Sequence, residues 1–403
     1  MPIAPKPAAE RQTIVIAGAG IAGLTAALSL AAIGLRVVLC EKTEKLSELG
    51  AGIQLAPNAG RVLARLGLDR AIAAAAIEPA ALEIRNGLSG RLLTAVPAAA
   101  FRTRYEFPYR VIHRADLQSI LAKAASLQPA IRLYLGATVE STAPRPDGLL
   151  VRVRKREGVE VVSASAVIAA DGVWSTHREK VRGSMPPAPA GRTVWRALIP
   201  GDVAGSITPR DRTGLWLGPE AHLVHYPVAQ GAAVNLVAII EEKWPRQGWS
   251  SPGEAAEIAE RFRTWCKPVR DLIAAPVAWQ KFAVATVRSD GEWVSERLAL
   301  IGDAAHAMVP FLAQGGAMAI EDAAVLADCL YGIAGPGVPA ALLRYASARK
   351  ARVAKVAEAS QKTGDAYHLG GMLGTLRDAA LTVGGARLVL GMNDWIYRWR
   401  PDR

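Results

Sequence analysis

Apolar positions along this chain follow two periods, short runs of strand type and longer runs of helix type. Residues 13–17 (T-I-V-I-A) read as a β-branched strand, an Ala/Leu-rich helix follows to about Ile33 with Gly34 at its end, and residues 36–40 form the next strand. Residues 51–54 read as a glycine-containing loop, and residues 57–66 and 114–125 as helices. Residues 82–85 and 91–96 flank Asn86-Gly87, which predicts a hairpin. Further strands are expected at 131–135, 148–162 and 164–169. From Arg192 to Val287 the pattern is mostly strand, at 194–199, 214–217, 222–226, 234–240 and 277–287, with one helix at about 253–265. Residues 298–301 form a short buried strand, and 317–330 a strongly helical run. From Pro339 to about Leu390 the chain is helical, with a break at Gly384-Gly385.

This succession predicts an α/β fold: a Rossmann-like domain, an antiparallel sheet inserted into it, and a helical tail. The length of 403 residues suits two such units. Hydrophobic residues at 51% and charged residues at 21% argue against disorder. The net charge of +12 could suit nucleic acid, but the basic residues are scattered. Their one tight cluster, Arg152, Arg154, Lys155 and Arg156, reads as a solvated edge strand running into a turn. The positive field favours anionic small molecules instead. Cys40, Cys266 and Cys329 lie far apart with no metal-ligand spacing, which fits a reducing cytoplasm. Residues 1–11 lack a signal-peptide core, and no apolar run is long enough for a membrane span.

Three stretches carry chemistry. The first is Gly18-Ala19-Gly20-Ile21-Ala22-Gly23 between strand and helix, with Glu41 ending the second strand. Gly18 allows the tight turn, Gly20 lets a pyrophosphate approach the backbone, and Gly23 lets helix and strand pack closely. Glu41 can accept the hydroxyls of an adenosine ribose. The unit is a dinucleotide site, and it does not say which dinucleotide. The second stretch is residues 171–178, D-G-V-W-S-T-H-R. The third, residues 298–322, runs from strand through Gly302-Asp303 and Pro310 to a helix opened by Gly315-Gly316. Alone, it fits both an ordinary turn and a helix N-terminus that seats an electron-rich group.

Together these stretches resemble the single-component, FAD-dependent aromatic hydroxylases that share the fold of p-hydroxybenzoate hydroxylase. Within that class the chain is most similar to the salicylate hydroxylase, 3-hydroxybenzoate 6-hydroxylase and 6-hydroxynicotinate 3-monooxygenase group, through residues 50–57 (G-A-G-I-Q-L-A-P), 113–117 (H-R-A-D-L), Trp195-Arg196 and 310–316 (P-F-L-A-Q-G-G). The resemblance implies an FAD-binding domain over 12–80, 108–190 and 290–335, a substrate-binding sheet domain over 81–107 and 191–289, and a helical C-terminal region over 336–403. It places Gly18, Gly20, Ile21, Ala22 and Gly23 under the pyrophosphate, Glu41 on the ribose with Lys42 beside it, and Val139 by the adenine. Arg114, assisted by Gln118, would reach the phosphates or ribityl chain, and Gly302 and Asp303 the ribityl chain. Pro310, Gly315, Gly316 and Ala317 would border the isoalloxazine, Gly52 and Ile53 would contact FAD, and Asp171 and Gly172 would serve both FAD and the pyridine nucleotide. Two departures stand out: Ala169-Ala170 before Asp171, and His177 where an apolar residue is usual.

The chemistry implied is that NADH or NADPH reduces FAD, O₂ adds at the flavin C4a, and the hydroperoxide hydroxylates a small hydroxylated aromatic or heteroaromatic acid. A base that removes the phenol proton makes the ring electron-rich. On a strand at 222–226, His222, Val224 and Tyr226 share one face, and Leu223 and His225 the other. By patterning alone this is an exposed His and a sheet Tyr; with the resemblance, His222 is the base and Tyr226 its neighbour, and His225 is a surface residue. Arg196, Trp216 and Gln314 are candidates for substrate contact, with salt-bridged burial and core packing as the alternatives for the first two. His306 is expected to fix the loop by a hydrogen bond. Urate-type hydroxylation, epoxidation and a non-hydroxylating FAD reductase remain open. A halogenase is disfavoured because residues 194–200 (V-W-R-A-L-I-P) lack the second Trp of W-x-W-x-I-P. No membrane or nucleic-acid partner is expected, and the chain is expected to be a monomer or homodimer.

Overall fold

The computed structural model describes residues 12–46, 52–244 and 248–402. Residues 1–11, Gly50 and Ala51, all named above, lie outside the described residues.

Strict alternation in the first strand sets up the architecture. In Thr13–Ala17, Ile14 and Ile16 point to one face and Val15 and Ala17 to the other, and all four are buried. The strand lies inside a six-stranded sheet, between Ala166–Ala169 and Arg36–Glu41 and parallel to both. Leu298–Leu300 and Ile131–Leu135 extend it in parallel, and Val294–Ser295 closes one edge as an antiparallel strand. On one face, Ile14 and Ile16 pack under Ile21–Ala32 and Gly315–Leu330 through Leu24, Leu30, Met318 and Ile320. On the other, Val15, Ala17 and Val38 meet Val151, Val153 and Val162 of a three-stranded antiparallel sheet. Both faces are covered, as a parallel sheet requires.

The second large unit is an eight-stranded sheet built from Ala81–Asn86, Leu92–Pro97 and the strands between Pro187 and Val287. Its pairings are antiparallel except one, where Arg212–Gly218 runs parallel to Ala81–Asn86. Trp195, Ala197, Leu223, Leu236 and Ala238 face Ile258, Phe262 and Leu272 of two short helices, Ala255–Arg261 and Lys267–Ala274. The opposite face of this sheet meets Gly52 through Tyr226 and Phe311 through His222. Two long helices, Val338–Tyr367 and Gly371–Tyr397, form the tail. The second breaks at Gly385, whose φ of 54° and ψ of −151° leave the helical region.

Several expectations are corrected here. Residues 52–55 are a strand, paired antiparallel with Arg110–His113, because Tyr109, Val111 and Ile112 offer a buried edge to pair with. The helix expected at 253–265 is shorter: Ser250–Gly253 pairs with Trp279–Val287 as a strand, and the helix spans Ala255–Arg261. The basic cluster is on the central strand of its sheet, and the solvated face of that strand accounts for it: Arg154 pairs with Glu140 and Lys155 with Glu160. Among the described residues, no helix is long and apolar enough to cross a membrane.

Candidate active site

The dinucleotide loop has the stereochemistry its glycines imply. Gly18 has φ +101°, and a Cβ there would lie 2.5 Å from the Ala170 carbonyl oxygen. A Cβ on Gly23 would lie 1.9 Å from the Gly18 carbonyl oxygen, so the first turn of Ile21–Ala32 tolerates no side chain there. At Gly20, the residue before that helix, a Cβ would meet nothing within 4 Å. The space above Gly20 is therefore open while the backbone around it is closely packed, which is the cradle a pyrophosphate needs. Gly23→Ala is expected to purify with roughly a tenth or less of the parent's flavin, read from visible absorbance, because backbone cannot yield by an ångström. Parent-level flavin would rule out this role for the turn.

Glu41 closes the cradle. Its Oε2 accepts from the Ala19 N–H at 2.9 Å and its Oε1 from the Thr43 N–H at 3.0 Å. Lys42 beside it is exposed. Gln118 is buried and donates to the Ala19 carbonyl at 3.1 Å, so it braces the loop. Arg114 opens the helix Arg114–Ser126. The Val139 side chain is buried among Val151 and Val153, so only its backbone is placed to flank an adenine.

The 171–178 and 302–306 loops are tied by the last residue of the D-G-V-W-S-T-H-R stretch. Arg178, 3% exposed, donates to the carbonyls of Ala304 at 2.8 Å, Val173 at 2.8 Å and Asp303 at 3.1 Å. Asp171 meets His177 Nδ1 at 2.8 Å, and this partner holds its carboxyl below the usual range although burial opposes it. Asp171 Oδ1 is buried without a partner, an acceptor that a bound hydroxyl would satisfy. Gly172 has φ +80°. Asp303 is exposed at the start of Asp303–His306.

Gly302 also adopts positive φ, 60°, and a Cβ would lie 3.1 Å from Ala22 and from Ala319. Its N–H donates to Asp322 Oδ2 at 3.0 Å, and His306 Nε2 lies 2.5 Å from the same oxygen. His306 thus fixes the loop, as expected. Arg349 Nε donates to Asp322 Oδ1 at 2.7 Å and Arg349 Nη1 to Glu321 at 2.8 Å, with all three side chains at most 1% exposed. Burial alone would raise the Asp322 pKa, but His306 and Arg349 hold it down at about 2. Asn58 Nδ2 links Glu321 at 2.8 Å to Gln314 Oε1 at 2.9 Å. The amide oxygen of Gln314 is therefore engaged by the protein.

Gly315–Leu330 begins immediately afterwards. A Cβ at Gly315 would meet nothing within 4 Å, and one at Gly316 would lie 2.8 Å from Ile53. The first N–H groups of this helix, to Ala317, have no acceptor within the helix, and its start lies beside the strand Gly52–Leu55. A Cβ on Gly52 would in turn lie 2.2 Å from the Tyr226 ring. So Gly52, Ile53, Gly316 and Tyr226 converge, and the large sheet meets the helix start there.

His222 is on the same sheet face as Tyr226, four residues away on Ala221–Val228, and is 1% exposed. Its ring centroid lies 5.3 Å from Phe311, in the turn Pro310–Leu312 that leads to Gly315. Its Nδ1 lies 2.8 Å from His368 Nε2, and His368 Nδ1 lies 2.7 Å from Glu241 Oε1. Burial, then His368 and Arg192, lower the His222 pKa well below its ordinary value, so the ring is neutral. Tyr226 sits opposite Asn235 across the strand pair, and burial raises its phenol pKa. Arg196 reaches over the Phe282 ring at 5.5 Å.

Two assignments are corrected. Trp216 pairs with Leu223 on the sheet's other face and is 3% exposed within the core of Trp195 and Phe262, so it does not line the His222 face. Strand alternation places it there. His225 is buried at 3%, fills the gap left by Gly214, and burial pushes its pKa down to about 4. The residues missed, His368, Glu241 and Arg349, gave no local signal; each acts across more than a hundred residues or from a helix that reads as a plain tail.

A glycine cradle, a bare helix start and a buried polar face opposite it form one candidate cofactor and substrate site. Residues 11–360 match the FAD binding domain family. The chain is 37% identical over 362 residues to 3-amino-4-hydroxybenzoate 2-monooxygenase of Streptomyces platensis, covering 89% of each. It is 35% identical over 367 residues to 3-hydroxybenzoate 6-hydroxylase 1 of Aquipseudomonas alcaligenes, covering 91% of this chain and 92% of that one. A solved salicylate hydroxylase substrate complex superposes with a TM-score of 0.81 at 25% identity, covering 96% of both chains. The chain belongs to the FAD binding domain family, among its FAD-dependent monooxygenases of aromatic hydroxylase type.

Proposed function

We propose that the chain hydroxylates a small hydroxylated aromatic acid, with NADH or NADPH as electron donor and O₂ as oxidant. The observation that carries this reading is the buried, neutral His222 beside the turn that leads into the bare helix start at Gly315. FAD supplies the chemistry of oxygen transfer from O₂ to the ring. The chain's own residues supply the rest. Gly18, Gly20, Gly23, Glu41 and Arg114 would hold the dinucleotide, Gly302 and Asp303 its ribityl chain, and Asp171 both FAD and the pyridine nucleotide. The N–H groups at Gly315–Ala317 favour negative charge on the flavin's pyrimidine edge. His222 Nε2 takes the substrate's phenolic proton, which raises electron density on the ring. Tyr226 and Arg196 orient the acid from the same face. The two relatives are named for hydroxylated benzoates, which supports the substrate class.

In this reading residues 12–80, 108–190 and 290–335 form the FAD-binding domain, 81–107 and 191–289 the substrate-binding sheet domain, and 336–403 a helical C-terminal region. The three free, separated cysteines suit a reducing cytoplasm. A panel of hydroxylated benzoates and nicotinates, scored for stimulated NADH oxidation together with hydroxylated product, tests the function. At least one acid is expected to do both. Slow NADH oxidation that no acid stimulates would identify an FAD reductase instead.

A further inference from the structure

We propose that His368 and Glu241 form a proton exit from the buried active site to solvent, with His222 as its inner end. The proposal rests on His222 being the substrate base.

The geometry is a continuous line of three side chains from three elements. His222 is on Ala221–Val228, Glu241 ends Ala233–Glu241, and His368 follows the last turn of Val338–Tyr367. The gaps are 2.8 and 2.7 Å, both within hydrogen-bond range. Burial falls along the line in one direction: the His222 and His368 side chains are at most 3% exposed, and that of Glu241 is 40% exposed. The inner end is sealed and the outer end is wet.

The hydrogen bonds also fix the tautomers in one sense. A carboxylate only accepts, so His368 Nδ1 carries the proton toward Glu241. His368 Nε2 is then the acceptor, and His222 Nδ1 carries the proton toward it. His222 Nε2 is left as the lone-pair nitrogen, the form a base needs. When His222 Nε2 takes the phenolic proton, its Nδ1 proton passes to His368 Nε2. The His368 Nδ1 proton passes to Glu241, and the carboxyl releases it to water. One proton leaves the substrate hydroxyl and one enters solvent. When the product hydroxyl regains a proton, the same line runs in reverse and both tautomers are restored.

His368 is held for this task rather than resting against the sheet. The Glu220 N–H donates to its carbonyl at 3.2 Å, and Glu220 adopts φ 58° in the turn before His222. The charged and titratable groups around the line are Arg192 on the neighbouring strand, Asp365 and Tyr367 on the long helix, and Glu241 itself. Arg192 lies 3.5 Å from Glu241 and 2.7 Å from Asp365, so a positive charge stands beside the outer carboxylate. The depressed His222 pKa agrees with a group that hands its proton on and does not store it.

The test uses FAD-loaded protein in weak buffer with a pH-indicator dye, mixed rapidly with 3-hydroxybenzoate or 3-amino-4-hydroxybenzoate in the absence of a nicotinamide donor. Proton release is expected to slow roughly tenfold or more in His368→Gln. In His368→Ala, added imidazole is expected to restore it. Glu241→Gln is expected to slow release and to change its dependence on pH. Flavin content of each variant reports that it folds. Release at the parent rate in His368→Gln, or in His368→Ala without imidazole, would overturn the exit and leave His222 as base. Release at the parent rate in His222→Gln would overturn the base and the exit with it.

Discussion

His222→Gln is expected to lower hydroxylated product about 10²–10⁴-fold, the range for a positioned proton acceptor, while the protein still carries FAD. Glutamine keeps the size and a hydrogen bond to His368 but cannot accept a phenolic proton. The loss should fall on the chemical step, because the side chain is sealed at 1% exposure and its neighbours Phe311, Tyr367 and His368 define a rigid wall. NADH oxidation without product should take a larger share of turnover, since an undeprotonated ring accepts oxygen poorly. The pH profile gives a second sign. Burial, His368 and Arg192 depress the imidazole pKa, so the base form persists as pH falls through the ordinary value of 6.5. Activity should therefore not decline on that account until pH is well below it. Near-parent product across pH in His222→Gln would remove this residue from the reaction.

Arg349→Met is expected to cost about 3 kcal/mol of stability, the lower end of the range for breaking a buried ion-pair network, because each carboxylate keeps another partner. Arg349, Glu321 and Asp322 are all at most 1% exposed, and Arg349 bridges the two carboxylates, with Arg352 on Glu321 and His306 on Asp322 beside it. The consequence should reach the flavin. Asp322 orients the Gly302 N–H and His306, which shape the loop carrying Asp303. Urea unfolding and retained flavin should fall together in this variant. The contribution of Asp322 has a definite pH sense. Its folded pKa of about 2 lies below its ordinary 3.8, so the contribution is complete above pH 3.8 and is lost as pH falls through 2. A variant with parent stability and flavin would show that the network carries neither.

Much of this was legible in the chain itself. The strand–glycine–helix unit at 13–41 announces its geometry because each glycine meets a local steric demand, as the 1.9 Å approach at Gly23 shows. The alternation of residues 222–226 placed His222 and Tyr226 on one face because strand geometry is local. The same alternation placed Trp216 opposite Leu223, in the core, but which face was core depended on helices that follow 40 residues later. His225 was misread for the same reason: the gap it fills exists only because Gly214 pairs with it. The proton line was the least legible part. His222 and His368 are 146 positions apart, and nothing near His368 marks it as anything but the end of a helix.

The central claim is that oxygen from O₂ is placed on the ring of a hydroxylated aromatic acid in this site. The direct measurement is turnover of the FAD-loaded protein with NADH, ¹⁸O₂ and the panel acids, with mass spectrometry of the products. The account predicts one ¹⁸O atom in a hydroxylated product of at least one acid, in amounts that track NADH consumed. NADH consumed with H₂O₂ as the sole oxygen product for every acid, or product oxygen drawn from water, would contradict it.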